Sequence, residues 1–279
     1  MLEAQRGLIQ WAEIVHPDIR DIRNYGPEQL AASAAGIEIA LTAGEYKTGG
    51  IAFATGNTQI PVLSAAAEYT KEKGISFAHI TGFHQDERYP LTPDTAASAF
   101  APFVHGRVAK PLGIPKDQMF YWNGFAHDPI DEVNRYNDLL TQYLKQHPLI
   151  MSVLGIGPPD KSNPTKGGHL MFNESGSPFD MESHYVEMLS QGTLDRDRLE
   201  RHEKVPNGAL TQGLGNLKYY DRILLIAFGT QKGIALRHAL WDDISVDRPA
   251  SILREPYLRE KTTIIVDQMA AAEIMAPRL

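Results

Sequence analysis

The sequence predicts an α/β fold: a doubly wound, mostly parallel sheet with helices on both faces. Short apolar runs bounded by glycines alternate with longer stretches of helical periodicity along the 279 residues. Two junctions, in IAFATGNTQIPV and LLIAFGTQKGIAL, share one layout of strand, small-residue turn and helix. No repeat or linker divides the chain, and parallel crossovers of this kind are right-handed.

The elements follow in order. Residues 1–25 carry Leu8, Ile9, Trp11, Ile14 and Val15 at helical spacing, which predicts an N-terminal helical extension ahead of one domain at 26–279. Pro27 to about Ala43 is an Ala-rich helix with a glycine-containing exit. Ile51–Ala54 reads as a strand, Thr55–Thr58 as a tight turn, and Pro61 falls in the first turn of the next helix. Ala78–Phe83 is a second strand that delivers Asp86 and Glu87 at its end. Thr92 to Ile114 reads as helical, with Asp94 or Thr95 as cap, and Ile130–Gln146 as an amphipathic helix. Leu149–Leu154 is a buried strand ending in glycines ahead of GGHLMFNESG. Phe179 to Thr211 is polar and charge-rich, the composition of a mobile excursion or lid. A strand at Arg222–Phe228, a helix from about Lys232, a strand at Thr262–Val266 and a short helix complete the pattern.

Bulk properties narrow the function. The formal net charge of −7 argues against a nucleic-acid partner, which would call for a basic face. It leaves room for an anionic small molecule, because local arrangement sets a site's potential. The absence of cysteine excludes disulfides, thiolate metal sites and a cysteine nucleophile. No apolar run is long enough to span a bilayer, and the N-terminal residues lack a signal-peptide layout, so a cytoplasmic enzyme without a membrane partner is expected.

Four constellations carry candidate chemistry. Thr55, Gly56, Asn57 and Thr58 form a small-residue loop at a helix start, where unpaired N–H groups and the helix dipole can cradle phosphate. The alternative is an ordinary turn capped by Thr58. Lys232, in GTQK, sits beside another helix start, where a cation opposes the dipole and calls for an anion. A solvated surface lysine is the other reading. Asp86, with Glu87 and Arg88, stands where a strand opens toward a cleft; a carboxylate there can move a proton to and from carbon, or else close a salt-bridged strand end. His169 and Glu174 suit an acid/base histidine oriented by a carboxylate. No metal site is expected, because no second histidine stands at helical ligand spacing.

These pieces resemble the glucosamine-6-phosphate deaminase/isomerase family, within the wider group that includes 6-phosphogluconolactonases. ATGNT, FHQDERY, LGIG, GGHLMFNESGSPF, VPNGALTQGLG, LLIAFGTQKGIAL and TIIVDQMAAAEI appear in family order from about residue 27 to the C-terminus. The resemblance implies a Rossmann-like α/β fold, an amino-sugar phosphate substrate, no metal or organic cofactor, and a homo-oligomer. It casts Asp86 as the carboxylate moving a proton between C2 and C1, and His169 as the residue that opens the ring at its oxygen. It makes Glu174 the support of that histidine, and Thr55–Thr58 with Lys232 the 6-phosphate site. Three departures stand out. Gly167 occupies the position of a family aspartate, and Asp160, in the long PPDKSNPTKG loop, is a candidate to replace it. DERY is closer to the lactonase style than DEY. Arg196, Arg198 and Arg201 are the candidates for a phosphate-binding arginine.

The expected reaction is conversion of glucosamine 6-phosphate, or an epimer such as galactosamine 6-phosphate, to a ketose 6-phosphate and ammonia. A lactone hydrolase with Arg88 near its substrate is the alternative that DER favours and FNES disfavours. A non-catalytic sugar-phosphate sensor is the third reading.

Overall fold

A computed structural model describes residues 10–195 and 204–276. Seven strands run parallel in one sheet, in the order β2 (Asp21–Asn24), β11 (Thr262–Val266), β10 (Ile223–Ala227), β7 (Leu149–Gly155), β3 (Gly49–Phe53), β4 (Ile80–His84) and β6 (Met119–Phe120). An antiparallel β1 (Ala12–Glu13) closes the β2 edge. The central strands β3, β4 and β10 are buried along their whole length, as a parallel sheet covered on both faces requires. From β3 the chain winds outward through β4 to β6, and from β7 through β10 to β11. The direction of winding reverses between β3 and β7, the place where open α/β sheets build their sites.

Five helices of eight or more residues lie on the described chain: α1 (Glu28–Glu45), α2 (Gln59–Lys73), α3 (Pro129–Leu144), α4 (Thr230–Trp241) and α5 (Gln268–Met275). Gly36 of α1 lies so close to α2 that a Cβ there would stand 2.6 Å from the Ala66 backbone nitrogen. The Ala-rich sequence of α1 thus serves close helix–helix packing as well as helix propensity. At the start of α3, the Asp128 carboxylate accepts hydrogen bonds from Ile130 N and Asp131 N.

Three sequence expectations are corrected. Residues 10–25 are not helical: β1 and β2 extend the main sheet, and β2 pairs with β11 from Asp21↔Thr263 to Asn24↔Val266. Edge pairing satisfies the backbone of this segment, and Ile14, Ile19 and Ile22 still reach the core. The 92–114 stretch is not one helix. It breaks into a 3-10 turn at Ala96–Ser98 and a short α, π and α succession over 101–112, in which Pro102 and Pro111 interrupt regular bonding. The charge-rich excursion contributes strands at both ends: in a second sheet β9 (Gly208–Thr211) pairs antiparallel with β5 (Asp86–Tyr89) on one side and with β8 (His184–Val186) on the other.

Candidate active site

Asp86 is placed by pairing, not by a loop. It begins β5, opposite Thr211 of β9, and is 7% exposed. A buried polar network fixes the strand just before it. Tyr136 OH donates to His84 O at 2.6 Å, Trp122 Nε1 donates to Gln85 O, and Gln85 Nε2 donates to Ser152 Oγ on β7. Gln212 N donates to Gln85 O, which fastens β9 to the same point. Each member satisfies a buried partner, so the network specifies one position for the carboxylate.

The GGHLMFNE stretch hangs on the same strand. Phe172 N donates to Thr211 Oγ1, and Asn173 Nδ2 donates to both Leu170 O and Gln212 O. Asn173 therefore closes the tight turn 170–173 and ties it to β9. Met171 in that turn takes a φ of 56°, a left-handed conformation that few non-glycine residues adopt and that concentrates at functional sites. At the other end, Gly157 N donates to His169 O and Gly168 N to Pro158 O, so the loop returns along itself and sets His169 beside the exit of β7. The imidazole lies against Gly157: a Cβ there would meet His169 Cε1 at 2.2 Å. Only glycine leaves room for the ring.

Thr55–Thr58 leads from β3 into α2, with Gly56 at φ +105°, where a side chain would be strained. Thr58 holds the N-cap position, yet its side chain makes no capping hydrogen bond to the helix. The ordinary-cap alternative is thus not what the hydroxyl does. Gly229, at φ +83°, turns β10 into α4, and its N–H donates to Asp267 Oδ1. Lys232 follows in the first turn of α4. One cleft of about 190 Å³ is lined by Thr55, Thr58, Asp86, Gly157, His169 and Lys232, along with Gly56 and Asn57. Two helix N-termini and a lysine on this lining favour an anion, and a carboxylate and an imidazole border the same space.

Other candidates stand elsewhere. Glu87 is buried, and its carboxylate accepts hydrogen bonds from Phe100 N, Ala101 N and Arg88 N. Burial pushes its pKa up against those bonds. Arg88 is fully buried, its guanidinium 5.0 Å from the Phe100 ring and 5.7 Å from the Phe172 ring. It supports the cleft wall from behind, which removes the expectation that it approaches a substrate. Asp160 is spoken for by its own loop: its carboxylate accepts from Ser162 N, Ser162 Oγ and Asn163 N, and these bonds lower its pKa. It borders a cavity that His169 also lines, as does Gly167, where the family pattern has an acid. That position is closed to a side chain, because φ is +96° and a Cβ would stand 2.6 Å from Asp160 N. Glu174 lies near His169, but both its oxygens serve the arm opposite, accepting from Ser190 N, Ser190 Oγ and Thr193 Oγ1. Arg196, Arg198 and Arg201 lie outside the described residues.

Sequence reasoning overlooked Gly157, Thr211 and Gln212. The signal for Gly157 was present, since the strand ends in GIG before a histidine; Thr211 and Gln212 act through pairing that no local pattern reveals.

The chain has relatives in both sequence and fold. A glucosamine-6-phosphate deaminase of Lacticaseibacillus paracasei is 30% identical over 226 residues, 80% of this chain and 86% of the relative. The chain belongs to the glucosamine-6-phosphate deaminase family. A second deaminase, from Bacillus cytotoxicus, is 31% identical over 222 residues, covering 79% of this chain and 76% of that one. A solved structure described as a monomeric glucosamine-6-phosphate deaminase superposes with a TM-score of 0.80 at 27% identity, over 91% of this chain and 99% of that one. The 6-phosphogluconolactonase of Thermotoga maritima shares the fold, with a TM-score of 0.65 at 18% identity over 89% of this chain and 99% of that one. No protein-family model matches the chain. Among the described residues no helix is long and apolar enough to cross a membrane, and no group of three His, Asp or Glu could hold a metal ion.

Proposed function

We propose that this deaminase-family chain converts glucosamine 6-phosphate, or an epimer such as galactosamine 6-phosphate, to the ketose 6-phosphate and ammonia. The observation that carries the reading is the shared cleft: Asp86 and His169 face the same small volume as the Thr55–Thr58 loop and Lys232. The 6-phosphate binds at the Thr55–Thr58 loop and Lys232 and orients the hexose. His169 protonates the ring oxygen as the pyranose opens. Asp86 then takes the proton from C2 and returns it to C1, through an enolamine. The C2 imine so formed adds water and loses ammonia. Proton transfer by a placed group contributes roughly 10²–10⁴-fold.

Glu174 is a positioning residue in this reading, because it holds the 190–193 arm against the turn that carries His169. The lactone-hydrolase reading loses its main support with Arg88 packed behind the wall.

The test uses purified protein with both hexosamine 6-phosphates, following ammonia and ketose 6-phosphate together. Asp86→Asn is expected to lower kcat by about 10²–10⁴-fold while the sugar phosphate still binds. Full turnover by that variant would remove Asp86 from the chemistry. Hydrolysis of a phosphogluconolactone without ammonia release from amino sugars would replace the reading with lactonase action. Calorimetric binding with no turnover of any sugar phosphate would replace it with a sensor.

A further inference from the structure

A second cavity of about 720 Å³ adjoins the cleft, and Pro158 and His169 border both. Its walls are the 158–167 loop, the Glu174–Ser175 turn and the 188–193 arm. Pro159, Met188 and Leu189 supply apolar surface, and Asp160, Lys161, Glu174, Ser190, Thr193 and Gln231 the polar groups between them. The space is built into the fold. Glu174 holds the arm through three hydrogen bonds, and Asp160 N donates to Lys166 O as the opposite loop turns back. At Gly167, the backbone of that loop leaves no volume for a side chain.

The geometry points to a substituent on the substrate's nitrogen: we propose that this cavity receives an alkyl group carried there, and that the preferred substrate class is an N-alkylated amino-sugar 6-phosphate. The inference rests on the isomerase/deaminase reading and deepens it. A hexose 6-phosphate anchored by its phosphate at Thr55–Thr58 brings C1 and C2 to Asp86 and His169. A group that continues past His169 must be attached at that end. C1 has to keep a free hydroxyl, or the ring cannot open. The nitrogen on C2 is the remaining point of attachment, and the chemistry tolerates a substituent there. The C2 proton moves to C1, leaving C2 doubly bonded to the substituted nitrogen. Water adds to C2, the C2–N bond breaks, and the nitrogen leaves with a proton as a primary amine. The products are the ketose 6-phosphate and that amine, with no oxidant or reductant. Apolar walls beside the reacting end favour a substrate that fills them.

The probe is N-butylglucosamine 6-phosphate, compared with glucosamine 6-phosphate on the full chain. The expected result is butylamine and fructose 6-phosphate, with kcat/KM at least tenfold above that for the unsubstituted sugar. Gly192 lines the cavity, and a Cβ there meets nothing within 4 Å, so Gly192→Phe fills the space. That variant is expected to lower the ratio of the two kcat/KM values at least tenfold. Turnover of glucosamine 6-phosphate with refusal of the N-butyl compound overturns the inference and leaves the deaminase reading standing. A ratio near one, unmoved by Gly192→Phe, does the same. Turnover of neither compound overturns both.

Discussion

Replacing Gly157 by alanine would put a methyl group where the imidazole of His169 now lies. The new Cβ would stand 2.2, 2.3 and 2.5 Å from His169 Cε1, Nδ1 and Nε2. Restoring an ordinary contact of 3.4 Å moves the ring by about 1.2 Å. The backbone has little freedom to absorb this, because Gly157 N is bonded to His169 O at 2.8 Å. A misplacement of about 1 Å at a reacting group can cost roughly 10²-fold in rate, or about 2.7 kcal/mol in barrier. The assay is steady-state ammonia release from glucosamine 6-phosphate, with kcat and KM resolved separately. The loss is expected in kcat, because the Thr55–Thr58 loop, where the 6-phosphate is proposed to bind, is untouched. Gly106→Ala is the control: its Cβ meets nothing within 4 Å, and kcat should stay within about twofold. A Gly157→Ala enzyme with normal kcat and a displaced His169 in its crystal structure would refute the role of that histidine in ring opening.

Two further outcomes follow from burial and backbone geometry. His84 is fully buried, neither ring nitrogen meets a hydrogen-bond partner, and burial pushes its pKa from 6.5 down to about 3. Between those values the unfolded chain binds the extra proton, so stability is full above pH 6.5 and falls as the pH drops toward 3. At pH 5 the loss from this one group is about 2 kcal/mol, read by urea denaturation at several pH values. His84→Asn should flatten that part of the profile, and an unchanged slope would assign the pH dependence to other groups. Gly167→Asp, which restores the acid of the family pattern, should destabilise the fold by about 2 kcal/mol or more, since φ is +96° and the Cβ would meet Asp160 N. A Gly167→Asp protein as stable as the parent, by the same denaturation, would mean that the 158–167 loop is free to move.

How much of this was legible in the chain depends on the range of the interactions. Apolar runs at Leu149–Leu154 and Thr262–Val266 became β7 and β11, because burial in a parallel sheet needs little more than a short β-favouring apolar stretch. The turn at Thr55–Thr58 and the Lys232 loop were visible because small residues between strand and helix mark local backbone geometry. By contrast, Trp11, Ile14 and Val15 had helical spacing, yet their neighbours became edge strands, since an available sheet edge outweighs weak helical periodicity.

The sequence by itself determined the alternation of strands and helices and the doubly wound class, and it singled out Asp86, His169, the Thr55–Thr58 loop and Lys232 as candidates, which line one cleft. Those depend on side-chain type and on spacing within one or two turns of chain. Tertiary structure alone decided that Asp86 and the His169 turn are fastened to the same Thr211–Gln212 strand end, that Arg88 is packed behind the wall, and that Glu174 braces the 190–193 arm. Each of these comes from groups that pack or bond across the fold, and register between strands far apart in sequence is set by the whole core rather than by any local pattern.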